Sequence, residues 1–192
     1  DRTTGRIYRI TGKDSTLLRD LNLESKTDIE LIKLLEHPNK WHRQTAVRLL
    51  GERKNKSTFS ELKKAITERR GLMPLHALWA LHQADGLDAA TAQIAIQHPD
   101  ADVRRWTVRA LGDEYGIHRN LGLPGTRQNA VDLPTNVMAT LREQALKETD
   151  AETRSQMAST ARRLTWSQGL ELIHALLQHD EDLEDNYIPM LS

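Results

Sequence analysis

The feature that most constrains this chain is an internal repeat. Residues 37–53 read HPNKWHRQTAVRLLGER, and residues 98–114 return the pattern as HPDADVRRWTVRALGDE. A third copy of the second half lies between them, and Ala46, Ala77 and Thr107 align at steps of 31 and 30 residues. A steady period near 30 residues, with a helical residue pattern in each unit, predicts an all-α chain. The expected architecture is an α-solenoid, in which each unit buries its apolar face against its neighbours.

Composition narrows the classes of function. The 192 residues contain 27 Lys plus Arg and 27 Asp plus Glu, so no net charge draws the chain to nucleic acid or to an anionic membrane. No apolar run approaches about 18 residues, so we expect no membrane span, and no basic-then-apolar leader is visible. Cysteine is absent, which excludes disulfides, thiolate metal sites, thiol catalysis and CxxCH haem attachment within these residues.

The two ends of the chain read differently from its middle. Residues 5–10 alternate and contain β-branched and aromatic residues, which predicts a strand, and residues 13–26 read as a linker. A lone strand is not stable in water, so we expect residues 1–26 to hold the strand remnant of a preceding domain; an extended disordered tail is the alternative. Residues 188–191 look like the start of another apolar element, so we interpret the sequence as a segment of a longer polypeptide.

The helical period dominates residues 27–192, which we predict to be one repeat domain of about four to five two-helix units in a right-handed array. The predicted helices are 28–36, 40–53, 59–69, 73–84, 89–97, 102–114, 135–148, 151–164 and 166–178. Residues 115–134 break the rhythm with three glycines and two prolines, which predicts a loop insertion.

Three details of the pattern are more specific. Ile29, Ile32 and Leu35 are predicted to share one face of the first helix, and Gly51 is predicted where the second helix ends. Trp79 and Trp106 are predicted to pack between neighbouring units.

The units share a motif that resembles a known repeat family. It runs Pro99, Asp100, Val103, Arg104, Thr107, Leu111, Gly112, and residues 38–51 match it in part. The motif resembles short HEAT repeats, also called HEAT-like or phycobilisome-lyase-type repeats, over roughly residues 27–180. The resemblance implies an armadillo-like superhelix that holds a partner, and it is poorly specific for function.

A narrower resemblance joins the start of the chain to the repeats. DRTTGRIYRI at residues 1–10, followed later by LHALWALH and HPDADVRRWTVR, resembles the middle of large planctomycete and verrucomicrobial proteins usually called membrane-bound dehydrogenases. Those bacterial proteins join a sugar-dehydrogenase-like β-propeller, HEAT repeats and a c-type cytochrome. The resemblance implies that residues 6–10 close the propeller, that haem and catalysis lie elsewhere, and that the protein works in the periplasm or otherwise outside the cytoplasm.

From this we expect a non-catalytic scaffold without a cofactor of its own. Its expected partners are other domains of the same chain or a separate protein. The competing class is an enzyme or nucleic-acid-binding module, either a HEAT-like DNA glycosylase or a bilin lyase.

HEAT repeats commonly place an arginine just after the turn between the paired helices, in a ladder with an acid about six positions earlier in an adjoining unit. The matching arginines here are Arg43, Arg104 and Arg154. The positions six residues earlier hold His37, His98 and Glu148. We predict a structural ladder in which Asp100 or Asp150 substitutes where the acid is missing, and contact with a ligand is the alternative.

Eight histidines raise the question of a metal site. None of their spacings gives the i, i+4 pair of a helical zinc site and no HExxH occurs, so we expect no metal. His42 and His76 are predicted to be hydrogen-bonded core residues. His37 and His98 are predicted to meet the free carbonyls at the ends of outer helices.

Candidates for partner binding come from three places. Trp41 and Trp166 lie near turns, which predicts partial exposure. The predicted concave face carries Arg48, Arg105, Arg109, Arg162 and Arg163. The loop contributes Tyr115, His118, Arg119 and Arg127, although a simple surface insertion is the alternative there. Glu52, Asp113 and Glu114 are interspersed among the arginines, which favours a salt-bridged face over a phosphate-binding groove.

Overall fold

The computed structural model describes residues 12, 21–113 and 130–182, and within these ranges the chain is all-helical. One isolated bridge, between Val131 and Leu164, is the β-type pairing found there. The predicted strand, the apolar element at 188–191 and most of the 115–134 insertion lie outside the described residues. No helix in the described part combines the length and apolar character needed to cross a bilayer.

Every predicted helix is present, with bounds that agree to within about three residues. The α-helices are α1 Asp28–Lys33, α2 Lys40–Arg53, α3 Phe59–Glu68, α4 Met73–Gln83, α5 Ala89–Ile96, α6 Ala101–Asp113, α7 Thr135–Lys147, α8 Ala151–Ala161 and α9 Trp166–Leu176. Short 3-10 turns lie at Leu23–Ser25, Leu34–Glu36, Lys56–Thr58 and Asp180–Asp182.

The helices pack in two rows. In one, which we call the even row, α2 contacts α4, α4 contacts α6 and α6 contacts α8. In the other, the odd row, α3, α5, α7 and α9 contact one another in that order. The pairs α1–α2, α3–α4, α5–α6 and α8–α9 join the rows, and a single hydrophobic core between them extends from Leu23 to Leu176. Each helix therefore buries its apolar side against helices close to it in sequence.

Side-chain caps fix where several helices begin. Thr27 forms a capping box, in which its hydroxyl accepts the Glu30 N–H and the Glu30 carboxylate accepts the Thr27 N–H at 2.8 Å. Asn39, Asp88 and Asp150 accept backbone N–H groups at the starts of α2, α5 and α8. Each cap satisfies a donor that the first helical turn leaves free.

We expect Asp88→Ala to lower the free energy of unfolding by about 1 kcal/mol, since it removes the cap of α5. The Asp88 carboxylate accepts a hydrogen bond from the Thr91 N–H at 2.9 Å and forms an ion pair with Lys63 at 2.5 Å. Lys63 and Thr91 together lower the pKa of Asp88 to about 2. A depressed pKa stabilises the fold above the ordinary value of 3.8, and that contribution is lost as the pH falls toward 2. Urea unfolding should therefore show the full difference at pH 6 and a smaller one at pH 2.5, with Ser60→Ala as the neutral control; an equal difference at both would contradict this.

Gly51 does not end α2, so that prediction is wrong. The helix continues to Arg53, and Lys54 ends it in the left-handed region at φ 48°. Gly51 instead allows a close approach, because a Cβ there would lie 2.6 Å from the Cβ of Gln83 on α4.

The aligned position in α6 allows a second close approach in the even row. Gly112 of α6 aligns with Gly51, and a Cβ there would lie 3.0 Å from Thr160 Cγ2 on α8. In α4 the aligned residue is His82. The pairs α2–α4 and α6–α8 accordingly pack more extensively than α4–α6.

Ile29 differs from the other apolar residues of its predicted face, because its side chain is 69% exposed. It borders a groove of about 600 Å³ between α1 and α3. Ile32 and Leu35, on the same helical face in the sequence pattern, are buried.

The buried arginine ladder and the even-row face

Arg104 links two successive helical hairpins. It is 8% exposed and lies near the start of α6. Its Nη1 donates to the carbonyl oxygens of His98 and Pro99, at 2.8 and 3.0 Å, just after α5 ends. Its Nε and Nη2 donate to both carboxylate oxygens of Glu148, at 2.7 and 2.6 Å, just after α7 ends. One guanidinium therefore satisfies the end of its own hairpin's odd-row helix and binds the end of the next.

Arg154 repeats this arrangement one unit further along. Its Nη1 donates to the Glu148 carbonyl oxygen at 2.9 Å, and its Nε and Nη2 donate to Asp182 at 2.7 and 2.5 Å. Glu148 therefore belongs to two rungs, through its side chain to Arg104 and through its backbone to Arg154. The two rungs form the predicted ladder.

Arg43 makes the same hydrogen bonds to backbone carbonyls as Arg104 does, but its remaining partner is not an acid. Its Nη1 donates to the carbonyls of His37 and Pro38, at 2.7 and 2.9 Å, and its Nε lies 3.3 Å from His76 Nε2. Because His76 Nδ1 faces the Leu72 carbonyl at 2.7 Å, His76 Nε2 is the acceptor for Arg43. His76 is therefore a hydrogen-bonded core residue, as predicted.

The substitute acids proposed from the sequence are wrong. Asp100 accepts the N–H of Asp102 at 2.9 Å, and Asp150 accepts the N–H of Thr153 at 2.8 Å. Both carboxylates are helix caps, and the ladder acids are Glu148 and Asp182. Asp182 was missed because it falls within an acidic run that reads as a solvated turn.

His37 and His98 occupy the acid position of the ladder but do not meet helix-end carbonyls, which the arginines take. Each accepts through Nδ1 the N–H two residues later, that of Asn39 or Asp100, at 3.0 Å. Glu148 accepts the Asp150 N–H in the same way at 2.9 Å.

His98 marks an interruption of the ladder. Its Nε2 is buried without a hydrogen-bond partner among the described residues. The residue of α4 that aligns with Arg43 and Arg104 is Pro74, whose side chain has no hydrogen-bonding group. Burial holds the pKa of His98 below its ordinary value of 6.5, which favours the neutral ring.

The electrostatics of Glu148 follow from its complete set of partners. Burial alone would raise the pKa of Glu148, but hydrogen bonds from Arg104, from the Asp150 N–H and from Gln144 outweigh it and the pKa lies below its ordinary value of 4.5. Glu148 is therefore charged at neutral pH and paired in the interior. This favours the structural role of the ladder arginines over the ligand-contact alternative.

The solvent-facing side of α2, α4, α6 and α8, here called the even-row face, collects three of the predicted binding residues. Trp41 and Arg48 lie seven positions apart on α2, so they share one side of that helix. Arg109 on α6 aligns with Arg48 in the repeat. All three side chains are exposed.

Aromatic rings connect α4 to α6. The Trp79 and Trp106 rings lie 5.0 Å apart and nearly perpendicular, at 78°, as their predicted packing between units requires. His76 lies 5.1 Å from Trp79 on one side, and the Arg109 guanidinium carbon lies 4.9 Å from the Trp106 ring centre on the other. Trp79 Nε1 is buried without a hydrogen-bond partner among the described residues. Sequence reasoning assigned these residues separately and missed this continuous series.

The arginines of the even-row face are interleaved with acids. The ion pairs are Arg48–Glu52, Arg105–Asp102, Arg105–Glu152, Arg109–Asp113 and Arg163–Asp113. The salt-bridged character predicted from Glu52 and Asp113 is present. The face therefore offers paired charges and aromatic rings rather than a continuous positive strip.

The remaining candidates lie elsewhere. Trp166, which is 62% exposed, begins α9 in the odd row, so the structure does not bring it onto the even-row face. The loop candidates fall outside the described residues; they are Tyr115, His118, Arg119 and Arg127. His42 packs against His37 and Trp41, but its Nδ1 has no hydrogen-bond partner in the described part, so the prediction of a hydrogen-bonded His42 is wrong at that atom.

Comparison with protein-family models, with curated proteins and with solved structures finds no match to this chain.

Proposed function

We propose that this chain is an α-solenoid of HEAT-like repeats that holds a protein partner and takes no catalytic part itself. The observation that supports it best is the arginine ladder, in which Arg104 and Arg154 each tie the end of one odd-row helix to the end of the next. A repeat array is stabilised by contacts between neighbouring units, and the ladder supplies such contacts between successive hairpins.

The partner-binding surface that we propose is the even-row face. Trp41 is exposed on α2, and Trp106 and Arg109 form a cation–π pair on α6, two helices further along the row. Trp and Arg are the residue types that contribute most to binding energy at protein interfaces. The flanking ion pairs supply charge specificity rather than a uniform field.

We further propose, from the sequence resemblance, that the chain is a segment of a larger propeller–HEAT–cytochrome dehydrogenase, outside the cytoplasm, and that its partner is another domain of that protein. Hydrogen exchange compares the 192-residue chain with the full gene product. Peptides at 40–52 and 101–113 should exchange more slowly in the full product, while odd-row peptides at 59–68 should not change. Equal exchange at 40–52 and 101–113 would refute an even-row contact with attached domains.

We expect no turnover of sugars or alcohols by the 192-residue chain when an artificial dye is the electron acceptor. The cytochrome-containing full product is the matched positive control. A rate for the isolated chain above that of heat-denatured protein would overturn the non-catalytic role.

We expect no salt-dependent binding of a 20-base-pair duplex, because acids neutralise the arginines of the even-row face. Fluorescence anisotropy at 50 and 200 mM salt measures it, since phosphate contacts weaken steeply over that range. The triple variant Glu52→Gln, Asp113→Asn, Glu152→Gln removes the acids paired with Arg48, Arg109 and Arg163 and one of the two acids paired with Arg105. It should bind weakly, at the lower salt only. Tight, salt-dependent binding by the unmodified chain would instead support the glycosylase-like alternative.

A further inference from the structure

The helices of successive hairpins do not pack equally. In the even row, α2 packs extensively on α4 and α6 on α8, whereas α4 packs much less on α6. The odd row shows a similar difference, since α3 packs less on α5 than α5 does on α7. Both rows therefore pack less closely at the same place, between the α3–α4 hairpin and the α5–α6 hairpin. We call this place the α4–α6 junction.

Buried polar contacts hold the next junction along the row, between α6 and α8. Arg104 donates to both carboxylate oxygens of Glu148 across it. Thr160 Oγ1 on α8 donates to the Val108 carbonyl oxygen on α6 at 3.2 Å. These hydrogen bonds are directional and lie in the interior, so they fix the angle at which α8 crosses α6.

The α4–α6 junction lacks the corresponding rung, because Pro74 occupies the arginine position of α4 and has no side-chain donor. An ion pair between Lys63 and Asp88 crosses the junction, but both side chains are partly exposed and such pairs contribute little. The Trp79 and Trp106 rings also meet across it, 5.0 Å apart, in an apolar contact that is less directional than a hydrogen bond. Neither contact fixes the angle between the helices as a buried rung does.

Two buried ring nitrogens at this junction have no hydrogen-bond partner within the described ranges. They are Trp79 Nε1 on α4 and His98 Nε2, just after α5. His98 Nδ1 accepts the Asp100 N–H at 3.0 Å, so in the neutral ring Nε2 carries the proton and is a donor, as Trp79 Nε1 always is. A buried donor without an acceptor is costly. A change of tilt that brings either donor to water or to an acceptor recovers part of that cost, so other helix angles compete with this one.

The connection between α4 and α5 is short and is attached at both ends. Gly86 belongs to the end of α4, because its N–H donates to the Leu81 carbonyl oxygen at 2.8 Å. Asp88 belongs to the start of α5, where it accepts the Thr91 N–H at 2.9 Å. Leu87 lies between these two attachments. Hinges are commonly a few residues at the ends of elements, whose backbone dihedrals absorb the motion.

We propose that the α4–α6 junction is a bending joint, created by the missing rung, at which helices α1–α4 tilt as one block against helices α5–α9. The hydrophobic core continues across the junction, so the two blocks stay attached and change only their angle. The joint crosses the even-row face between Trp41 on α2 and Arg109 on α6, so tilting changes the separation of these residues. That the tilt adapts this face to a partner rests on the proposed function, whereas the joint itself does not.

Double electron–electron resonance between nitroxide labels tests the joint without any partner. The chain has no cysteine, so labels attach only where cysteines are introduced. One pair, Lys64→Cys and Ala139→Cys, spans the joint from α3 to α7. The control pair, Ala90→Cys and Ser167→Cys, covers the same number of helices from α5 to α9 within one block, and all four sites are exposed. We expect the distance distribution of the spanning pair to be about twice as wide as that of the control pair. Equal widths would overturn the proposal.

Restoring the rung tests its role in the joint. The double substitution Pro74→Arg, His98→Glu copies the Arg104–Glu148 pair into the junction, since residues 98 and 148 each accept the N–H two positions later. The spanning distribution should then narrow to the width of the control pair, which should not change. A folded double variant whose spanning distribution stays wide would refute the joint as proposed, and circular dichroism checks the folding. If that variant does not fold, the two pairs in the otherwise unmodified chain decide the question.

Discussion

Glu148→Ala is expected to lower the free energy of unfolding by about 3–5 kcal/mol. The substitution leaves the Arg104 guanidinium, which is 8% exposed, without the carboxylate that accepts two of its hydrogen bonds. A buried charge that loses its partner is among the most costly changes a protein interior can undergo. It also frees the Asp150 N–H and the Gln144 amide that bind the same carboxylate.

Urea unfolding at pH 7 measures this loss, and a second variant separates charge from packing. The double substitution Arg104→Met, Glu148→Leu removes both charges and keeps similar volume, so it should recover most of the lost stability. The exposed pair Arg48–Glu52 gives the control, since Glu52→Ala should cost well under about 1 kcal/mol. A Glu148→Ala effect as small as that of Glu52→Ala would show that the ladder contributes little.

The pH dependence of the Glu148 contribution has a definite sign. Its folded-state pKa is lowered, so its stabilisation is full above the ordinary value of 4.5 and is lost as the pH falls below it. The difference between the unmodified chain and Glu148→Gln should therefore be larger at pH 7 than at pH 3. A difference that grew on acidification would contradict the assignment.

Gly169→Ala is expected to destabilise the chain by about 1–3 kcal/mol, although alanine is the better helix former by about 1 kcal/mol. The reason is steric, because the added Cβ would lie 2.6 Å from the Ala161 carbonyl oxygen, which belongs to the backbone of α8. A flexible side chain can move aside, whereas here the α8–α9 crossing itself must shift. Thermal unfolding with Ser167→Ala, at an exposed site on the same helix, as the control measures the effect. A neutral or stabilising Gly169→Ala would show that the crossing is loose.

Local patterns allowed the helices to be predicted from the sequence. The 3.6-residue period of apolar residues is a local pattern, so its effect can be read without tertiary information. The repeat alignment likewise identified Arg104 and Arg154 as equivalent residues before any contact was known.

What the sequence did not reveal depends on contacts between distant residues. The acceptor of Arg154 is Asp182, 28 positions later, and an acidic run gives no sign of which carboxylate is buried. Gly51 resembled a helix end, but its role depends on Gln83 of α4. Ile29 fits the apolar period of α1, and it is exposed because it borders the groove between α1 and α3.

The candidate interaction face was predicted only in part. Trp41, Arg48 and Arg109 lie on the even-row face, whereas Trp166 lies in the odd row. The sequence assigned Trp166 by its position near a turn, and this gives no information on which row a helix joins. The edge-to-face contact between Trp79 and Trp106 joins residues of two helices, so the continuous series through them could not be derived from the pattern of either helix alone.

Hydrogen exchange on Asp182→Ala tests most directly whether the fold is an array of units held by their neighbours. The substitution removes the carboxylate of the last described rung, where Arg154 is 3% exposed. In an array, protection should fall in α8 and α9 and remain unchanged in α1 to α4, since each unit depends on the adjacent one. An equal loss of protection across residues 28–83 would contradict the account, because it would mean that the chain unfolds as one cooperative globule.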